Sequence, residues 1–339
     1  MKIVLDAFGG DYAPSEIIEG AVLSLKKHLD LEIILTGDEN VINEYFKSHS
    51  LSKERITIVN APSVITNDES PTLAIRREGT SLGEAFNLLK TNEDIKALIS
   101  CGSTGAILAG GFFKIGRIKG VSRPALAPFL PTKKGTNVLL IDCGANVDCK
   151  PINLAHFAVM GSVYFSQING VEKPRVALLN NGTEEHKGNE QTRQAYELLK
   201  KLPINFVGNV EAREIISGDV DVVVCDGFAG NVALKSIEGA VSLALGEVKS
   251  AIKSSFISKI GAIFLKGAFK KIKSRMDYKK YGGSPFLGTK KLIIKSHGNS
   301  KRETICYAID QAINCSKFDI NSKIESAINS LDLSEETNG

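Results

Sequence analysis

The sequence contains no stretch of roughly 18 uninterrupted apolar residues, so it offers no candidate membrane span. Its opening, MKIVLDAFGGDYAPSE, reads as a strand rather than as a signal peptide, and the compartment expected is the cytoplasm. The six cysteines (Cys101, Cys143, Cys149, Cys225, Cys306, Cys315) include no CxxC pair and no histidine partner at zinc-ligand spacing, which argues against a structural zinc site. Several lie in apolar strand-like runs and read as reduced core thiols, in keeping with a reducing interior. Also absent are the GxSxG elbow, the P-loop, HExxH, and a GxGxxG turn after a strand, which disfavours serine hydrolases, P-loop nucleotidases, zincins and a standard dinucleotide fingerprint. Internal repetition is weak, and no low-complexity linker divides the chain.

What is present is ordinary for a globular enzyme. With 43% hydrophobic residues in 339, the chain can bury a full core. Charge is unevenly spread. Residues 249–280 hold ten Lys or Arg against Asp277 alone, a surplus of nine positive charges, whereas the whole chain carries only +4. A local basic surface therefore needs explaining, with no nucleic-acid partner expected.

Short runs rich in Val, Ile and Leu alternate with amphipathic stretches. The candidate strands are KIVLDAF, LEIILTG, RITIVN, KALISCG, NVLLIDCG, PRVALLNNG, DVDVVVCDG and KLIIKSHG. Helices are expected over 17–29, 72–89, 153–168, 191–202 and 303–314, with a long helical run over 232–277 broken near Gly261 or Gly267. Continuous apolar strands separated by helices predict an α/β fold with a doubly wound, mostly parallel sheet and a protruding long-helix segment. One catalytic domain over 1–316 is expected, including an amphipathic helical segment at about 245–280. A polar tail over 317–339 is expected to follow.

In open α/β sheets, ligands bind beyond the carboxyl ends of the strands. Polar Gly-rich loops recur there: Asp6 with Gly9, Gly10 and Asp11; SCGSTG at 100–105; DCGAN at 142–146; NNGTEEHKG at 180–188; DGFAGN at 226–231; and SHGNS at 296–300. One such loop usually marks only a tight turn, but six in one chain favour an oxyanion-rich pocket. Lys187 stands out because it follows a strand ending in Asn180, Asn181 and Gly182 and precedes Gly188, so it can meet a phosphate or a developing oxyanion as a point charge. An arbitrary lysine at such a place is more often solvated. Asn231 follows DGFAG at a helix start, where it is either an N-cap or an oxyanion donor.

Taken together and in order, DAFGGD, SCGSTGA, DCGAN, EEHKGNE, DGFAGNVALK, YGGSPFLG and KSHGNS resemble the PlsX-type phosphate acyltransferases of bacterial phospholipid synthesis. The resemblance runs from Met1 to about Cys315. It implies a fold similar to the isocitrate and isopropylmalate dehydrogenases and to phosphotransacetylases, a homodimer, and transfer of a long-chain acyl group from acyl carrier protein to inorganic phosphate without a metal or cofactor. A membrane acyltransferase would then use the acyl phosphate to acylate glycerol 3-phosphate. The resemblance carries the catalytic roles to Lys187 and Asn231. Residues expected to bind substrate or phosphate are Asp6, Gly9, Gly10, Ser103, Thr104, Gly105, Asn146, Gly188, Gly230 and His297. The sequence has Phe8, Cys101, Ser103 and Ser284-Pro285-Phe286-Leu287-Gly288 where the family pattern leads one to expect Met, Ala, Asn and Ala-Pro-Leu-Leu-Gly.

Two other enzymes remain open at this level: a phosphotransacetylase-like enzyme using acyl-CoA, and a metal- and NAD-dependent dehydrogenase built around Asp6, Asp142 and Asp226. A non-catalytic carrier-protein or membrane adaptor is a further alternative. For the basic segment, a projection at about 100° per residue gathers Lys259, Lys266, Lys270 and Lys273 into one stripe, opposite an arc that includes Phe256, Ile260, Ile263 and Phe264. That pattern suits a peripheral membrane contact. It equally suits a dimer interface or a landing surface for the acidic carrier protein.

Overall fold

The computed structural model describes residues 1–66, 68–275 and 281–331. Its strands, in chain order, are β1 (Lys2–Asp6), β2 (Glu32–Gly37), β3 (Ile56–Asn60), β4 (Ile95–Ser100), β5 (Ala125–Leu126), β6 (Phe129–Pro131), β7 (Asn137–Ile141), β8 (Arg175–Asn180), β9 (Asn205–Glu211), β10 (Val222–Val224), β11 (Ser284–Leu287) and β12 (Leu292–Lys295). They form two sheets, ordered β3-β2-β1-β4-β12-β11-β5 and β6-β7-β10-β8-β9. The run β3-β2-β1-β4-β12 is parallel throughout, as is β7-β10-β8-β9. Only the short strands β5, β6 and β11 pair antiparallel. Parallel strands need crossover helices, and helices on both faces bury the strands completely; Ile3, Val4, Leu98, Leu139, Leu140 and Val223 are fully buried. The doubly wound α/β expectation is met.

All eight expected strands form. The helices Ser15–Lys27 and Arg302–Lys317 pack together on the first sheet, so closely that a Cβ on Gly20 would lie 2.5 Å from Ile305 Cβ. Pro151–Asn169 covers the second sheet and carries the fully buried Phe157, Met160 and Tyr164.

Three expectations are corrected. Residues 72–89 form two helices, Pro71–Ala74 and Ser81–Thr91, because Thr80 starts the second by accepting the Gly83 amide at 3.1 Å. The polar segment after 317 contains a packed helix, Ile320–Asn329, whose Ile320, Ile324 and Ile328 are buried against Pro151–Asn169. Such burial stabilises by about 1.5–3 kcal/mol per side chain, which outweighs the polar composition of the segment. Residues 332–339 of the expected tail lie outside the described residues.

The long helical run is divided into Gly227–Lys253, Phe256–Phe264 and Lys266–Arg275. One break falls at Leu265, near Gly267 as expected, and a second, unexpected one at Ser254-Ser255; Gly261 and Gly267 themselves lie inside helices. Ser255 makes the first break by capping, its side chain accepting the Ser258 amide at 3.0 Å. The end of the expected run, at 276–277, is outside the described residues.

Candidate active site

Because β1, β4 and β12 are parallel neighbours, the loops after them leave one edge of the first sheet together. The same holds for the loops after β7, β10 and β8 in the second sheet. Five of the six Gly-rich loops begin at a strand end in one of these two groups, and DGFAGN begins just after β10.

In the first group, Asp6 is buried and accepts the Ser100 hydroxyl at 2.7 Å and the Phe8 amide at 3.3 Å. Burial raises the Asp6 pKa from its ordinary value, while the hydrogen bonds from Ser81, Ser100, Phe8 and Gly9 pull it back. Ser100 Oγ in turn accepts the Gly102 amide at 3.0 Å. Gly9 fits between these loops because it lacks a side chain: a Cβ there would lie 2.6 Å from Asp6 Oδ2 and 2.7 Å from the Gly102 nitrogen. At Gly10 the backbone has φ +97°, and the following Asp11 amide donates to Gly298 O at 2.8 Å, tying the β1 loop to the β12 loop. Ser103 is buried and precedes Thr104–Gly110, with Gly105 pressed against Pro71. A cleft of about 360 Å³ opens here, lined by Phe8, Gly10, Ser103, Thr104, Lys295 and Gly298 among others.

In the second group, Asp142 organises the turn. Its carboxylate accepts the amides of Leu126 (2.9 Å), Ala145 (3.1 Å) and Asn146 (2.7 Å), and Asn146 Nδ2 at 2.9 Å. Burial is the larger effect and pushes its pKa up to about 6. Asn146 Nδ2 also donates to Pro124 O at 2.8 Å, and Asn146 is buried. The Asn146 side-chain amide nitrogen thus ties the turn to the Pro124 backbone. At Gly230 a Cβ would lie 1.8 Å from Asp142 O, so the glycine permits the close approach of helix to loop.

The helix Gly227–Lys253 is capped by Asp226, which accepts the Ala229 amide at 2.7 Å, so Asn231 is not the cap. Asn231 sits one turn in, exposed over the Gly144 turn, and its side-chain amide has no hydrogen bond among the described residues. Lys187 is half-buried in the reversal after β8, held through its backbone by Asn180 Nδ2 to its carbonyl (3.1 Å) and by its own amide to Glu184 O (3.2 Å). Its ammonium makes no hydrogen bond or ion pair among the described residues. Gly188 follows with φ +99° and no room for a Cβ, since one would lie 2.1 Å from Thr192 Oγ1.

One helix joins the two groups. Asn231, Lys235 and Glu238 are spaced i, i+4, i+7 along Gly227–Lys253 and share a face. Glu238 pairs with Lys235 at 2.8 Å, and His297 of the β12 loop reaches Glu238 at 3.8 Å. The loops of both sheets thus border the same helix face, with backbone amides, hydroxyls and the Asn231 side-chain amide available to anions. The acids that a divalent ion would need are spent elsewhere: Asp6 on Ser100, Asp142 on loop amides, Asp226 on its helix cap.

Sequence reasoning missed Lys295. It ends the apolar run of β12, and a cation closing such a run directly before SHGNS was the available signal. The six cysteines are unpaired, four of them buried, and burial pushes the Cys101 thiol up to about 12.

Comparison with known proteins places these features. The model of the family described as "Fatty acid synthesis protein" matches residues 1–323. The chain is 49% identical over 329 residues to a phosphate acyltransferase of Clostridium novyi, covering 97% of this chain and 98% of that one. It is 45% identical over 318 residues to a phosphate acyltransferase of Clostridioides difficile, covering 94% and 93%. Among solved structures it is similar in fold to a phosphotransacetylase of Streptococcus pyogenes, with TM-score 0.57, 17% identity and coverage of 97% and 94%. It is also similar to a putative 4-hydroxythreonine-4-phosphate dehydrogenase of Salmonella typhimurium, with TM-score 0.50, 14% identity and coverage of 93% and 99%. At those identities the likeness is one of fold.

Proposed function

The chain belongs to the fatty acid synthesis protein family and is an acyltransferase, and from that premise we propose that it transfers a fatty acyl group from acyl carrier protein to inorganic phosphate, feeding phospholipid synthesis. The observation that carries the reading is the pair of unengaged donors, the Lys187 ammonium and the Asn231 amide, at one strand edge among loops built from amides and hydroxyls. A phosphate oxygen attacks the thioester carbonyl, a tetrahedral oxyanion forms, and the C–S bond breaks to release the carrier thiolate. Phosphate is a nucleophile at neutral pH and a thiolate leaves readily, so the protein's task is to align two anionic reactants and stabilise the oxyanion.

The test is to incubate the protein with phosphate and either palmitoyl-carrier protein or palmitoyl-CoA and to trap acyl phosphate with hydroxylamine. Acyl hydroxamate from the carrier-protein donor supports the reading. Product from the CoA donor alone replaces it with a phosphotransacetylase-like activity, the fold seen in the Streptococcus neighbour. The dehydrogenase alternative is set aside by family membership.

Association with a membrane surface belongs to this reading. No described helix is long and apolar enough to cross a bilayer. In Phe256–Phe264, however, Phe256, Ile257, Ile263 and Phe264 are 77%, 82%, 70% and 85% exposed, and Ile260 is also exposed. The break at Leu265 means that Lys259 and the pair Lys266 and Lys270 belong to successive helices, so the cationic stripe is not one continuous face. The apolar arc lies mainly on the first. Such a helix can bury its apolar side at the interface while nearby lysines each contribute on the order of 1 kcal/mol toward an anionic leaflet. A long-chain acyl phosphate is amphiphilic, so a docked exit toward the membrane acyltransferase spares its release into water. The protein is expected to float with anionic vesicles, less so at high salt, and Ile260→Glu with Phe264→Glu is expected to abolish flotation. Wild-type protein that stays at the bottom at low salt would hand this face to the dimer or to the carrier protein.

A homodimer is proposed from the exposed Val232, Leu243 and Val248 of Gly227–Lys253. Light scattering should give about twice the 36.5 kDa chain mass; a particle of the chain mass at micromolar concentrations refutes it.

A further inference from the structure

We propose that Lys295 holds the phosphate group of a reactant, its ammonium acting with the Ser103 and Thr104 hydroxyls in the cleft at the edge of the first sheet. This rests on the acyl-to-phosphate reading for the identity of the reactants. The position of Lys295 is set by the sheet. It ends β12, paired with Ser100 of the parallel neighbour β4 and with Ser284 of β11, directly after the buried residues Leu292, Ile293 and Ile294. The strand fixes its backbone on both sides, so the side chain is delivered at one place beyond the edge.

Its ammonium makes no hydrogen bond or ion pair among the described residues, yet the residue is half-buried and lines the cleft with Phe8, Gly10, Ser103, Thr104 and Gly298. Burial lowers its pKa, and the nearby charges divide in sign: Asp11 and Glu238 favour the ammonium, Lys235 opposes it. Glu238 is already committed to Lys235 at 2.8 Å and lies near His297. A cation partly withdrawn from water without a bonded counter-charge is destabilised. An anionic reactant entering the cleft would supply that charge, and the Ser103 and Thr104 hydroxyls, which line the same cleft, would add donors for tetrahedral oxygens.

The phosphate group has two sources, free phosphate and the phosphodiester of a phosphopantetheine arm, carried by acyl carrier protein and CoA alike. Lys295→Met and Lys295→Arg separate them. Inorganic phosphate should raise the melting temperature of the wild type and of Lys295→Arg, and raise that of Lys295→Met much less. In steady state, Lys295→Met should increase KM for phosphate by about tenfold or more with a smaller change in kcat, as expected for loss of a charged binding contact. Lys295→Arg should recover part of the loss, and Lys295→Gln, which removes the charge and keeps a polar side chain, replaces the Met variant should that one fail to fold. An increase confined to KM for both thioester donors assigns the anion to the pantetheine arm. Unchanged KM values for phosphate and donors, with equal stabilisation of all three proteins by phosphate, overturn the proposal. Should the wild type make no acyl phosphate while its stabilisation by phosphate still depends on Lys295, the acyltransfer reading fails and the anion site stands.

Discussion

Alanine at Lys187 or at Asn231 is expected to lower turnover by at least about 100-fold while leaving the fold intact, the loss typical of removing one oxyanion donor. The structure explains why activity and stability should separate. Neither side chain makes a hydrogen bond or ion pair among the described residues, and the helix start is held by Asp226 instead of Asn231. The Lys187 loop is fixed by backbone bonds to Asn180 and Glu184, which survive truncation of the side chain. Circular dichroism and thermal melting should therefore match the wild type while acyl hydroxamate formation collapses. Combining the two changes should cost less than the product of the separate losses, because both donors serve one transition state. Near-wild-type turnover in both single variants would falsify the assignment and move the oxyanion donors elsewhere.

Gly230→Ala is expected to do the opposite, damaging the structure first and the chemistry through it. The added Cβ would stand 1.8 Å from Asp142 O and 2.8 Å from Cys225 Sγ. The first of these is backbone and cannot swing aside. The helix start has to lift away from the Asp142 turn, which also strains the Gly227 amide to Asn146 O bond of 2.7 Å. Overpacking of this kind typically costs about 1–3 kcal/mol and sometimes more. The variant should melt at lower temperature, and activity should fall because Asn231 is the next residue. Gly239→Ala, in the same helix with open space around it, is the control and should melt at or above the wild-type temperature. Equal melting of Gly230→Ala and the wild type would mean that the loop and helix can separate freely there.

How far the sequence carried depended on how much of each element's stability is local. The eight strands it revealed are apolar runs that end in Gly, Asn, Asp or a polar turn, a pattern imposed by burial on both faces. The missed strands lack that pattern. β5 and β6 have two and three residues, and β11 begins Ser284-Pro285; all three pair antiparallel at junctions where neighbours, not propensity, decide. β9 is interrupted by Gly208 at φ +98°, opposite a register shift in β8. The helix at Ile320–Asn329 was legible in principle, since Ile320, Ile324 and Ile328 recur every fourth residue, but its charged and hydroxyl neighbours dominated the composition.

The site shows the same division. The loops could be placed at strand ends because strands and turns are local. Whether a polar residue in them faces a ligand or its own backbone could not. The bonds of Asn146 to Asp142 and Pro124 and the tight packing at Gly230 are tertiary contacts that the sequence does not announce, and Lys295 is the last residue of an apolar strand. The joining of the two loop groups rests on His297 meeting Glu238, a pair 59 positions apart in the chain that no periodicity connects.

The helix Gly227–Lys253 has 27 residues and would extend about 40 Å if straight. It starts beside Asn231 and ends at the exposed apolar helix Phe256–Phe264. The proposed oxyanion donor Asn231 and the apolar tip are thus mounted toward opposite ends of one rod, and for a fixed junction at Ser254-Ser255 the residue count of the rod sets their relative rotation. One residue more or fewer between them turns the tip by about 100° with respect to the Asn231 face, whereas seven restore it to within about 20°. A single inserted or deleted residue in this rod therefore re-aims the surface that the tip presents, even where every contact of the Asn231 end is kept.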